Sequence, residues 1–268
     1  MPRPDKTNFL HSVPVSLSLS QFKKQLAEED LYFGYHPLCA GDLTLAELLS
    51  LKPINLYHFK YGSLSSQVRG LVAELDTGDL WESSVLPDAA GGPNLLRLVL
   101  DLPSTLTRLN QVTFTISPRP EKMELLLLGV PTEIKAINIL GQLVSQSVNP
   151  LFFHLLDAKK LDGFLPQSWS HKDVKNILFL GFSGLAELVD ADTAWVSGLA
   201  KETSLPVMIP KDSTPDLLTQ FVFATDNHTD IISQYQHMIW PAGTSATNTE
   251  QLQKKLFDSF DTPEVSHV

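Results

Sequence analysis

The chain has 268 residues, with 20 Lys and Arg against 30 Asp and Glu, a formal net charge of −10. Its length suits one large domain or two small ones, and 43% hydrophobic residues supply a core and exclude a disordered chain. The acidic excess repels a phosphate backbone at long range, so nucleic acid is not an expected partner.

In chain order, Val13, Val15, Leu17 and Leu19 alternate with small or polar residues, as on a half-buried strand. Ser20 is placed to cap a short helix carrying Phe22 and Leu26. Thr44 and Glu47 have capping-box spacing, ahead of a helix with Leu45, Leu48 and Leu49 that Lys52-Pro53 stops. Ile54 to Tyr61 reads as an aromatic-rich strand. Leu71 to Leu75 and Leu95 to Leu102 are further apolar segments, separated by a flexible connector at 88–93. Gln111 to Ser117 is a strand with Val112, Phe114 and Ile116 on one face. The proline pair Pro118 and Pro120 then breaks the pattern.

Beyond that break, Met123 to Val130 reads as a fully buried strand, and Pro131-Thr132 opens a helix that Asn149-Pro150 closes. Leu151 to Leu156, Ile177 to Phe182 and Leu205 to Ile209 are strand-like. Asp192 or Thr193 is placed to cap a helix carrying Trp195, Val196 and Leu199. Ser213-Thr214-Pro215 is a strong helix start. Apolar strands alternating with amphipathic helices predict α/β architecture, with a mainly parallel Rossmann-like sheet and flanking helices in the C-terminal half. The expected divisions are a mixed α+β region over 1–117, a Rossmann-like region over 121–243, and a polar linker with an amphipathic helix over 244–268.

In a parallel sheet, ligands gather at the carboxyl ends of the strands, where helix N-termini attract anions. Three junctions, at 129–133, 181–184 and 210–214, would meet there. Thr132, Ser183, Gly184, Lys211 and Ser213 are accordingly the ligand-binding candidates. Gly181-Phe-Ser183-Gly184 comes near a nucleophile elbow, but G-x-S-x-G needs a small residue where Leu185 stands. Ser183, Asp226, His228 and His237 are the candidate catalytic residues, in a workable order but with no motif behind them. The D-x-D spacing at Asp190 and Asp192 is explained by helix capping. The run Asp226-Asn-His228-Thr-Asp230 reads as a solvated turn, so no metal is expected. Phosphate-binding glycine loops are missing from the sequence, and no cofactor is expected.

Two features suit protein contacts. On a strand, Tyr57, Phe59 and Tyr61 would share one face. Leu252, Leu256 and Phe260 recur at helical spacing near the C-terminus, on a helix that needs something to dock against. The first reading is therefore a non-enzymatic interaction, assembly or regulatory subunit of a cytosolic complex, with another protein as partner and room for self-association. The alternatives are a small-molecule hydrolase or transferase at the strand ends, and a nucleotide or small-anion sensor. Cys39 is the single cysteine, residues 1–8 hold no apolar signal core, and no apolar run approaches ~20 residues. A cytoplasmic location without a membrane span is expected.

Overall fold

The computed structural model describes residues 3–37, 41–83, 95–102, 106–161 and 174–210. The chain divides into two compact units, Met1–Phe221 and Val222–Val268, and every described residue lies in the first.

The order begins β1 (Leu10–Pro14), α1 (Leu19–Ala27), β2 (Leu31–Tyr32), α2 (Leu45–Leu51), α3 (His58–Tyr61), α4 (Leu64–Gln67), β3 (Val68–Leu75) and β4 (Leu80–Glu82). It continues through α5 (Leu95–Asp101), β5 (Thr107–Thr115) and β6 (Ser117–Pro118). Strands β1, β5, β3 and β4 form one antiparallel sheet in that spatial order, and β2 pairs with β6. The core of this part gathers Phe22 of α1, Phe33 and Phe114, with ring centroids 4.8 to 5.7 Å apart. At those separations tilted rings gain about 0.5–1.5 kcal/mol beyond the burial of their area.

Local chemistry explains the helices. Thr44 and Glu47 form the capping box, each side chain meeting the other residue's backbone N–H. Helix α1 is capped by Ser18, with Gln21 completing a second box, and not by Ser20. Ser20 instead turns its N–H and hydroxyl to Asp42. Helix α2 ends at Lys52, which takes a left-handed backbone (φ 45°) and returns its N–H to Leu48, immediately before Pro53.

The second sheet is built from β7 (Lys122–Val130), β8 (Phe152–Asp157), β9 (Asn176–Gly184) and β10 (Val207–Met208). Helix α6 (Glu133–Ser145) joins β7 to β8, and α7 (Ala186–Glu202) joins β9 to β10. The spatial order is β10-β7-β9-β8, and every neighbouring pair is antiparallel. Strands β7 and β8 do run parallel, but β9 lies between them, giving the split βαβ arrangement of ferredoxin-like sheets. One face carries Leu126, Leu128, Leu178, Leu180 and Phe182 against Ala136, Ile139 and Leu143 of α6 and Val189, Val196 and Ala200 of α7.

The parallel Rossmann-like sheet expected over 121–243 is therefore corrected to an antiparallel one, and the protein is mixed α+β in both parts. Strand and helix alternate as expected from β7 to β8 and from β9 to β10. Between β8 and β9, however, the described residues hold only a 3₁₀ turn at Ala158–Leu161. A parallel neighbour needs a long crossover, usually helical, whereas an antiparallel one accepts a loop. Both faces of β7 and β9 are buried along most of their length, which hides the alternation that marks most antiparallel strands.

Two further elements differ from their sequence pattern. Ile54 to Tyr61 is not a strand: its end forms the one-turn helix α3. Tyr57 is buried, Phe59 is exposed and Tyr61 lies between, so these rings share no single face. Asp192 and Thr193 do not cap a helix but sit inside α7, which starts at Ala186.

Candidate functional site

Two places in the described residues have the shape and chemistry of a site. The larger is a cavity of about 610 Å³ at one end of the first sheet. Val15 after β1, Leu49 and Ser50 on α2, Val99 on α5, and Arg108 and Asn110 on β5 contribute to its wall. Most of the wall is apolar, and among the described residues Arg108 is its one cation. That volume falls within the range of small-molecule and cofactor pockets, about 300–1,000 Å³.

The second place is where α3 meets the end of β9. The Lys60 ammonium donates to the Ser183 carbonyl oxygen and lies 3.3 Å from Ser183 Oγ. It also stands 5.8 Å from the centre of the Tyr61 ring. Burial pulls the Lys60 pKa below the usual lysine range, and the Asp192 carboxylate partly restores it. Asp192 is pushed up by its own burial, against the pull of Lys60. Burial likewise raises the Tyr61 phenol, which a hydrogen bond with Ser183 opposes.

Asn55, which carries no motif, holds this corner together. Its Oδ1 accepts from the backbone N–H groups of His36 (2.9 Å) and Tyr57 (3.1 Å). Its Nδ2 donates to the carbonyls of Gly34 (3.1 Å) and Gly62 (2.8 Å). That uses both donors and both acceptors of an amide, in a side chain that is 2% exposed. The loop before α3 and the turn after it are thus tied to one residue. Gly34 is needed for a different reason. A Cβ there would collide with the Tyr61 ring.

Ser183, Gly184 and Tyr61 converge at this corner, although Ser183 and Tyr61 are expected for different roles. Thr132 lies elsewhere: its Oγ1 accepts from Lys135 N and caps α6. The register explains the separation, because Val130 pairs with Asn176 and Lys122 with Gly184. Eight strand residues, roughly 27 Å at ~3.4 Å per residue, divide the two ends. In an antiparallel sheet the carboxyl ends of neighbouring strands point opposite ways, so the junctions at Thr132 and Ser183 cannot share a cleft. Tyr57 stacks on Phe152 (6.4 Å, 20°), and Phe59 meets Phe153 (6.2 Å). Lys211, Ser213, Asp226, His228, His237, Leu252, Leu256 and Phe260 lie outside the described residues. Among the described residues there is no cluster of three or more metal-ligating side chains, and no helix is long and apolar enough to cross a membrane.

No family model matches the sequence, and no curated protein matches it. Solved structures do match the fold. Alkyldihydroxyacetonephosphate synthase, in two crystal forms, superposes with a TM-score of 0.69 at 17% identity. The match covers 84% of this chain and 44% or 45% of the synthase. p-Cresol methylhydroxylase, with substrate bound, gives a TM-score of 0.61 at 14% identity, over 84% of this chain and 52% of that one. The chain thus spans about half the length, or less, of the structures it resembles, and at these identities the likeness is one of fold.

The expectation of an assembly or regulatory subunit is corrected by this likeness, since the structures sharing the fold are by name a synthase and a methylhydroxylase. The hydrolase or transferase placed at parallel strand ends, and the sensor placed at those same ends, lose their geometry with the antiparallel sheet.

Proposed function

We propose that this chain forms part of an enzyme of the architecture seen in the synthase and the methylhydroxylase. We further propose that the 610 Å³ cavity receives the bulky apolar portion of a cofactor or substrate. The observation that carries the reading is the superposition of 84% of the chain on an enzyme at a TM-score of 0.69.

FAD is the cofactor this architecture implies. The wall formed by Val15, Leu49 and Val99 suits a planar ring system in size and polarity. The diphosphate of a dinucleotide needs cations or a nest of backbone amides. Among the described residues the cavity wall offers Arg108 and no glycine. The described residues therefore fit a ring system and not the whole of FAD, and no catalytic step is assigned to them.

The test is a titration of the purified full-length protein with FAD, FMN and riboflavin, followed by flavin fluorescence. Saturable binding is expected, weakened at least tenfold by Ser50→Trp, which fills the cavity from the exposed side of α2. A folded protein that binds none of the three rejects flavin as the ligand. Binding that Ser50→Trp leaves unchanged rejects this cavity as its place.

A further inference from the structure

A second cavity, of about 190 Å³, opens beside the Lys60 corner. It is separate from the larger one. The larger cavity touches β5 at Thr107 to Asn110, and the smaller touches Thr115 at the strand's other end.

Its wall sets two cations and three hydroxyls among apolar surface that includes the Tyr61 ring. Lys60 comes from α3, Arg69 from β3, and Ser66, Thr115 and Ser117 contribute the hydroxyls. Arg69 Nε donates to Thr115 Oγ1 at 3.0 Å. That bond uses one of the five guanidinium donors and fixes the plane of the others. Among the described residues neither Lys60 nor Arg69 has a carboxylate within 4.0 Å, whereas Lys6, Lys52 and Lys122 are all paired. Asp192 acts on Lys60 only at longer range. The floor is rigid: Gln67 is buried and donates from Nε2 to the Gly34 carbonyl at 3.2 Å, the same carbonyl that Asn55 holds.

We infer that this cavity binds a small oxyanion, the phosphate or carboxylate head of an organic molecule, between the Lys60 ammonium and the Arg69 guanidinium. The volume, that of about six waters at ~30 Å³ each, accommodates a phosphate- or carboxylate-sized head group. A planar guanidinium recognises two oxygens at once, and an ammonium adds a point charge. The inference stands on this cavity alone and does not depend on the enzymatic reading.

The experiment is calorimetric titration of the full chain with inorganic phosphate and, separately, oxalate, at constant ionic strength with sodium chloride as the control. One saturable site is expected for at least one of the two, and the stronger of them identifies the head group. Arg69→Gln and Lys60→Gln should each weaken it about tenfold, while Arg119→Gln, a residue outside the cavity wall, should leave it unchanged. Arg69 is exposed, so its variant keeps the fold and decides the matter even if the Lys60 variant does not. No saturable heat with either anion, an equal response to chloride, or affinity unaltered in Arg69→Gln overturns the inference.

Discussion

Lys60 of α3 and Ser183 of β9 are 123 positions apart in sequence, and the ammonium of one is hydrogen-bonded to the carbonyl oxygen of the other. The bond joins a one-turn helix beside the first sheet to the end of a central strand in the second. Its main acceptor is backbone, which sets an order on the two substitutions. Lys60→Met strips the donor from a partly buried carbonyl and should cost about 1–3 kcal/mol. Ser183→Ala leaves that carbonyl in place and removes the Oγ contacts, the longer one to Lys60 and the hydrogen bond with Tyr61, and should cost about 1 kcal/mol. Urea unfolding of both variants checks this, and a larger loss in Ser183→Ala would contradict it.

Asn55 should be among the least replaceable residues of this region. Asn55→Asp keeps the shape but sets a carboxylate against the carbonyls of Gly34 and Gly62, which now accept from Nδ2. Two lost buried bonds, at about 1–3 kcal/mol each, predict a destabilisation of several kcal/mol. Equilibrium unfolding reads this directly. A loss under 1 kcal/mol would show that the amide is not what holds the corner.

Gly181 of β9 pairs with both neighbouring strands, opposite Leu125 within the β7 ladder and Phe152 at the end of the β8 ladder. A Cβ there would run into the Phe152 ring. Gly181→Ala should cost about 1–3 kcal/mol by overpacking. The backbone at Gly181 is not left-handed, so the penalty is steric and should be relieved by pairing it with Phe152→Leu. Thermal unfolding of the single and double variants tests it. A double variant no more stable than the sum of the singles would deny the contact.

His154 of β8 is buried, stacks on Phe152 at 5.8 Å, and has its pKa pulled by burial from 6.5 down to about 3. The folded protein keeps this imidazole neutral where the unfolded chain protonates it. Between pH 6.5 and about 3 the unfolded state therefore binds the extra proton, and stability falls as pH falls. The slope approaches about 1.4 kcal/mol per pH unit well below 6.5. His11 and His58, also lowered by burial, add to the same limb. In His154→Phe the loss between pH 6.5 and 5 should be shallower, as measured by urea unfolding at each pH. Equal slopes in the two proteins would assign the acid sensitivity elsewhere.

Thr44→Ala removes the capping hydroxyl of α2 and should cost about 1 kcal/mol, with Thr44→Ser close to neutral. Urea unfolding compares the two. Equal losses would mean that the methyl, and not the hydroxyl, contributes the stability.

The Thr44–Glu47 box, the Thr132 cap and the buried runs at 123–130 and 177–182 were legible because each depends on residues within one turn or one strand. A cap needs a hydroxyl three positions before an N–H, and a buried strand needs only an apolar run. The Lys60–Ser183 bond and the four contacts of Asn55 left no such signal. Their partners lie from 2 to 123 positions away, and nothing in the residue types fixes the pairing.

By itself, then, the sequence determined where most of the buried apolar segments lie and where α2 and α6 begin. It could not determine which strand lies beside which. Burial on both faces makes a strand in this antiparallel sheet look like a parallel one, and the choice was made by β9 inserting between β7 and β8. That insertion sent Thr132 and Ser183 to opposite ends of the sheet and placed Ser183 against Lys60. Strand neighbours are selected by the packing of whole faces against helices and against each other, an energy that belongs to the assembled sheet and to no single segment.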